Sequence, residues 1–175
     1  MICGDTGKRE LTRTILRACE RYGGVFAKDG DRLWASCEEP LFSVICTDSL
    51  TEVDCRSIVV FGEHPHISGS MLKMKGALYV IDSSSLQAVS LLCSCPLPAI
   101  GCSMSPYDTL SISGREDEEV LVCLQRSVQC IDGKWLEPCE IAVEAPPETQ
   151  VFPILAACAV LLLSSVPFEH GYKLI

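Results

Sequence analysis

Positive charge is scarce in this chain of 175 residues, with 14 Lys and Arg against 23 Asp and Glu and a formal net charge of −9. That shortage argues against nucleic acid as a partner, because affinity for a phosphate backbone comes from Lys and Arg neutralising phosphates. The first residues also lack a charged stretch leading into an apolar one, the pattern of a secretory leader. The twelve cysteines are therefore expected as reduced thiols of a cytoplasmic protein, and not as the disulfides of a small secreted scaffold. No Cys-x-x-Cys pair occurs, and no Gly-x-Ser-x-Gly elbow or Cys and His pairing points to a nucleophilic hydrolase. Cys3, Cys46, Cys123 and Cys158 sit inside apolar runs, where cysteine behaves as a small buried hydrophobe. Cys93-Ser94-Cys95 with Cys102 is the one grouping that could hold a soft metal, but its spacing matches no zinc pattern and packing is the favoured reading. With 48% apolar and 21% charged residues, the chain has the composition of one globular domain over 1–175 and excludes general disorder.

What is present is concentrated first in Met1-Ile2-Cys3-Gly4-Asp5-Thr6-Gly7-Lys8-Arg9-Glu10-Leu11-Thr12. A short apolar strand runs into Gly4, small polar residues lead to Gly7-Lys8, and Leu11, Ile15, Ala18 and Cys19 then recur at helical spacing. In this strand, loop and helix order, backbone N–H groups and a lysine cradle a phosphate at a helix N-terminus. Gly4, Asp5, Thr6, Gly7, Lys8 and Arg9 are thus the candidate phosphate-binding residues. The loop is incomplete. It lacks the first glycine of the full pattern, and Arg9 stands where a Ser or Thr would hold Mg²⁺.

Beyond the loop, Lys8 to Tyr22 reads as an amphipathic helix stopped by Gly23-Gly24. Phe42–Cys46, Ser57–Phe61 and Leu78–Ile81 are short β-branched runs of the kind buried on both faces of a parallel sheet. Asp82 and the three serines after it can cap a helix over Leu86–Leu92, and Pro98-Ala99-Ile100-Gly101 supplies a fourth strand. From Thr109 the texture becomes antiparallel, with strands over Thr109–Ser113, Val120–Ile131 and Glu140–Val143. Asp132-Gly133 is expected to close a two-residue hairpin. Ser103–Thr109 reads as a polar turn, Arg126 as pointing to solvent or pairing with an acid, and Arg115–Glu119 as a solvated acidic loop. Val151 to Phe168 carries no charge over a length close to that of a membrane span. Pro153 and Pro167 leave only about 13 residues, roughly 20 Å, of usable helix, so a buried core helix is expected and not a membrane anchor. The fold class predicted is α/β: a P-loop-like, mostly parallel sheet flanked by helices over 1–104, a small antiparallel sheet over 105–145, and a buried C-terminal helix within 150–168.

This order of pieces resembles the central ATP-binding domain of the Mur ligases. Gly4-Asp5-Thr6-Gly7-Lys8-Arg9 is similar to their Gly-Thr-Asn-Gly-Lys-Thr loop, and Tyr79-Val80-Ile81-Asp82-Ser83-Ser84 to a strand ending in Asn-Ala-Asp-Asp. Pro98-Ala99-Ile100-Gly101-Cys102 is similar to a Val-Ile-Thr-Phe-Gly strand, and Ile154-Leu155-Ala156-Ala157-Cys158-Ala159 to their Leu-Ala-Ala-Ile-Ala helix. The resemblance implies ATP or ADP as the ligand and an ancestry in bacterial peptide ligation. It also shows what is missing. Ligation through an acyl phosphate requires Mg²⁺ held by the loop Thr, a Glu and a His. Here Arg9 replaces the Thr and no Asp-His-Leu-Asp segment occurs. Glu63, His64 and His66 are the nearest alternatives, although Pro65 between the histidines favours a plain solvent loop. Nothing in the 175 residues corresponds to the C-terminal domain that brings the second substrate in that family.

The resemblance therefore implies a degenerate, non-catalytic domain that works by binding a nucleotide or a protein partner, with no catalytic residue or metal ligand assigned. Two other readings stay open. One is a small P-loop ATPase or kinase with Lys8 on the phosphates and Asp48, Asp82 or Glu63 on the metal. The other is a structural scaffold in which Gly4, Gly7 and Lys8 form an ordinary strand-to-helix turn.

Overall fold

The computed structural model describes residues 1–4, 9–47, 56–62, 76–93 and 99–175. Its first half alternates short strands and helices: β1 (Ile2–Cys3), α1 (Glu10–Gly23), β2 (Val25–Asp29), β3 (Arg32–Ala35), β4 (Phe42–Thr47), β5 (Ser57–Phe61), β6 (Ala77–Asp82), α2 (Leu86–Cys93) and β7 (Ala99–Ser103). The second half is strand-rich: β8 (Leu110–Glu116), β9 (Glu119–Leu124), β10 (Val128–Gln129), β11 (Trp135–Leu136), β12 (Cys139–Glu144), α3 (Val151–Leu163) and β13 (Tyr172–Lys173). This is the predicted α/β class, a mostly parallel mixed sheet flanked by helices with a buried C-terminal helix.

Eleven strands form one sheet in the order β13-β12-β9-β8-β7-β6-β5-β1-β4-β2-β3. From β2 through β4, β1, β5, β6 and β7 to β8 every pairing is parallel. The antiparallel strands β9 and β12 continue the same sheet beyond β8, and among the described residues β10 and β11 pair apart from it. The sequence pattern follows position. In central β5, Ile58, Val59, Val60 and Phe61 are all buried, because helices cover both faces. In the wings the pattern alternates: Val25 and Ala27 of β2 face inward while Phe26 and Lys28 do not, as expected where only one face is covered.

One face of the sheet packs on α1 and α3 and the other, smaller core gathers around Cys3, Val59, Phe61, Tyr79 and Ala88 of α2. The sheet curls around α3 until its last strand meets α1, where the rings of Tyr22 and Tyr172 stand edge to face at 5.4 Å. Lys173 N there donates to the Tyr22 hydroxyl at 2.7 Å. Enclosed in this way, α3 is buried from Pro153 to Leu163, which explains a helix apolar on every side. No helix among the described residues is long and apolar enough to cross a membrane.

Several local expectations need correction. Helix α1 begins at Glu10, not Lys8, because Arg9 is in the left-handed region at φ 54 and ψ 22. The strand expected over Val120–Ile131 breaks after Leu124. The Asp132-Gly133 turn is not a two-residue hairpin. Cys130 N donates to Lys134 O at 2.7 Å and Gly133 N to Cys130 O at 2.9 Å, so the loop is Ile131-Asp132-Gly133 with Gly133 at φ 92, a type I turn closed by a left-handed glycine. That extra residue turns Ile131 onto the core. Arg115–Glu119 is exposed, as expected, but belongs to the β8–β9 hairpin, with Glu116 paired to Glu119 and Asp117-Glu118 as its turn. The hairpin β2–β3 was not expected. Its two-residue turn has Gly30 at φ 59, with positive φ confined to that first turn residue, the pattern of a type II′ turn.

Candidate functional site

In an open parallel sheet the place for a ligand is the crevice where neighbouring connections leave in opposite directions. That point falls between β1 and β5. From β1 the chain turns through α1 towards β2 on one side, and from β5 it moves to β6 on the other. The two strands end together, with Gly62 N donating to Cys3 O at 2.8 Å. The predicted phosphate loop leaves from this point. Asp5, Thr6, Gly7 and Lys8 lie outside the described residues, as do Asp48, Glu63, His64 and His66, and the geometry below is that of Gly4 and Arg9.

Gly4 ends β1 at φ 80, a conformation that favours glycine, and its N–H donates to Thr47 O at 2.9 Å. Arg9 is the N-cap of α1, and its carbonyl accepts from Arg13 N at 3.0 Å. The Arg9 guanidinium pairs with Asp29 Oδ2 at 2.7 Å, with 61% of the Arg9 side chain exposed. A pair this open to solvent contributes at most about 0.5 kcal/mol; its consequence is to hold a cation beside the start of α1. Two charges oppose each other there. The free N–H groups of a first helical turn attract anions, while Glu10 stands in that turn. Glu10 is diverted, however, since its Oε1 accepts from Gln150 N at 2.9 Å and so caps α3.

Arg9 and Gly4 fit a polyphosphate: a glycine bend, an exposed guanidinium and a helix N-terminus all favour negative charge. They do not fit Mg²⁺. A guanidinium is always charged and has no lone pair to offer a cation. Among the described residues no three His, Cys, Asp or Glu side chains come together as a metal site. Of the three cysteines read as a possible soft-metal grouping, Cys102 is fully buried in β7 and Cys93 is exposed at the end of α2; Cys95 lies outside the described residues.

A second cluster on the same rim was not singled out from the sequence. Asp108 Oδ2 accepts from Ser83 Oγ at 2.5 Å and also from Ser103 Oγ. Gly101 makes room for it, since a Cβ there would lie 2.7 Å from Asp108 Oδ1. The cluster closes the tight connection by which β8 starts beside the end of β7, with Thr109 N donating to Gly101 O at 3.1 Å. The Ser103–Thr109 turn was legible as polar; the long-range partner Ser83 was not. Asp82 accepts from Ser84 N at 2.9 Å and Ser84 Oγ at 2.5 Å, and Ser85 Oγ accepts from Ala88 N at 3.4 Å as the cap of α2. Arg126 is exposed, as expected, and donates to Tyr107 O at 2.7 Å.

Solved structures share this fold. The chain is similar to MurF from Acinetobacter baumannii, with a TM-score of 0.58 and 9% identity over 96% of this chain and 43% of that one. It is similar to UDP-N-acetylmuramoyl-L-alanyl-D-glutamate–2,6-diaminopimelate ligase, with a TM-score of 0.63 and 10% identity over 95% and 43% of the two chains. It is also similar to MurF ligase from Thermotoga maritima, solved in complex with ADP, with a TM-score of 0.51 and 8% identity over 96% and 45%. The chain spans less than half the length of each of these ligases. No family model matches the sequence, and no curated protein matches it. At these identities the likeness is one of fold: the architecture is Mur-ligase-like α/β.

Proposed function

We propose that the chain is a degenerate Mur-ligase-like domain that binds ATP or ADP through Gly4, Asp5, Thr6, Gly7, Lys8 and Arg9 and acts as a binding or regulatory module without ligating. The observation that carries this reading is Arg9. It is the N-cap of α1, holds its guanidinium 2.7 Å from Asp29, and follows Gly7-Lys8 in sequence, where the phosphate loop of a magnesium-dependent enzyme has a Ser or Thr. A cation there can neutralise phosphate charge, but it cannot position the metal on which acyl-phosphate chemistry depends. Binding without turnover follows from that exchange.

The test is calorimetric and thermal-shift titration of the reduced protein with ATP and ADP, with Mg²⁺ or with EDTA, beside Lys8→Ala and Arg9→Thr. Wild type is expected to be stabilised equally with metal and chelator, as a ligand that binds the native state alone must stabilise it. Lys8→Ala should lose the effect, and Arg9→Thr should acquire a dependence on Mg²⁺. No binding at millimolar nucleotide would refute this reading and leave a scaffold whose partner is a protein.

A further inference from the structure

At the opposite, amino ends of the parallel strands lies a cavity of about 580 Å³, between β1, β4 and β5 and the last turns of α1 and α3. Its walls include Ile15, Cys19, Val44, Ile58, Val60 and Val160, all of them buried. Exposed Leu41 and Arg56 stand at its mouth. The volume is that of a small-molecule pocket, and such pockets join apolar walls to a few polar groups that orient the ligand.

Charge gives the orientation. Acids outnumber bases 23 to 14 in the chain, yet among the described residues the lining holds no carboxylate side chain, and its cations are the Arg56 guanidinium and the amino group of Met1, which donates to Ile58 O at 2.5 Å. Arg56 Nη1 donates to Ile131 O at 2.9 Å, and Ile131 itself lines the cavity. That bond uses one of the five N–H donors a guanidinium carries and holds the cation at the rim. We propose that this cavity binds an amphiphile with an apolar body and one carboxylate, a fatty acid or a molecule of that kind, its tail between α1, α3 and the sheet and its carboxylate on Arg56. Apolar walls that face a void lose their packing partners, and an acyl chain would restore them. The site is separate from the nucleotide reading and stands or falls without it.

The experiment is displacement of fluorescent cis-parinaric acid from the purified full chain under reducing conditions, by decanoate and by decanol. Saturable one-to-one uptake is expected, with decanoate the stronger competitor. Arg56→Ala, an exposed change whose folding is checked by circular dichroism, should weaken decanoate about tenfold and leave decanol unaltered. Val60→Trp should reduce uptake of both by filling the volume. Absence of saturable uptake at millimolar fatty acid would overturn the proposal, and so would an Arg56→Ala variant that binds decanoate as wild type does.

Discussion

Among the described residues cysteine is mostly a packing residue. Cys3, Cys19, Cys102, Cys123, Cys130 and Cys158 are buried, whereas Cys37 and Cys93 are exposed. Burial pushes the Cys19 and Cys158 thiols up to about 12 and the Cys102 thiol well above its ordinary value, since an apolar interior disfavours the thiolate. Because only a thiolate is a good nucleophile, iodoacetamide at pH 8 should label Cys37 and Cys93 within minutes and spare Cys19, Cys102 and Cys158 until the protein unfolds. Peptide mass spectrometry of the native and urea-treated protein checks this. Burial of Cys3, Cys123 and Cys158 was legible in their apolar neighbours. The half-buried state of Cys46 was not, because it depends on how far helices extend across the sheet face. Arg9 shows the same division. Its place after Gly7-Lys8, where the full loop pattern has a Ser or Thr, was legible; its left-handed backbone and its bond to Asp29 depend on β2 passing beside α1, which no local pattern records.

The element with the most dependence on its surroundings is α3. Its apolar run approaches the length of a membrane span, but Pro153 and Pro167 favoured a core helix, and the curl of the sheet around it shows where that helix is buried. Its entry is held from outside. The Arg115 guanidinium donates to the carbonyls of Thr149, Pro146 and Pro147 at 2.8, 3.0 and 2.6 Å, and Glu10 takes the N–H of the N-cap Gln150. Arg115→Ala should therefore lower stability by about 1–2 kcal/mol, the net worth of a few charge-assisted bonds to partly exposed carbonyls. Urea denaturation measures it. Arg115→Lys should restore only part, because an ammonium lacks the planar fork that reaches several carbonyls. In sequence Arg115 sits beside a run of acids and looks solvated; its partners lie more than thirty residues away. The β2–β3 hairpin is the opposite case. Its Gly30-Asp31 turn and alternating flanks were present in the sequence but weak, since Arg32–Ala35 forms a short edge strand with little burial.

For the whole molecule, the buried thiols make stability depend on alkaline pH. Cys19 and Cys158 have an unfolded value near 9.0 and folded values of about 12. Below pH 9 both states hold the proton and stability is complete. As pH rises from 9 towards 12 the unfolded chain sheds protons that the folded chain keeps, so stability falls, by up to about 1.4 kcal/mol per pH unit for each thiol. The urea midpoint of the reduced protein should be lower at pH 10.5 than at pH 8, and Cys158→Ala should flatten the difference. An unchanged midpoint would mean that these thiols ionise in the folded state.

Local sequence carried most of the elements and their order, with the β2–β3 hairpin and β13 left out. β-branched runs buried on both faces write a parallel sheet, period-2 texture writes its antiparallel extension, and glycines with left-handed backbone mark where helices and turns stop. These are short-range consequences of backbone sterics and hydrophobic periodicity, and they sufficed to name the fold class. Tertiary structure alone decided that β1 lies between β4 and β5, that the antiparallel strands prolong the same sheet, and that Arg9 meets Asp29, Glu10 meets Gln150 and Asp108 meets Ser83. Each of those pairings joins residues distant in sequence, and depends on how all the elements pack on the two faces of the sheet.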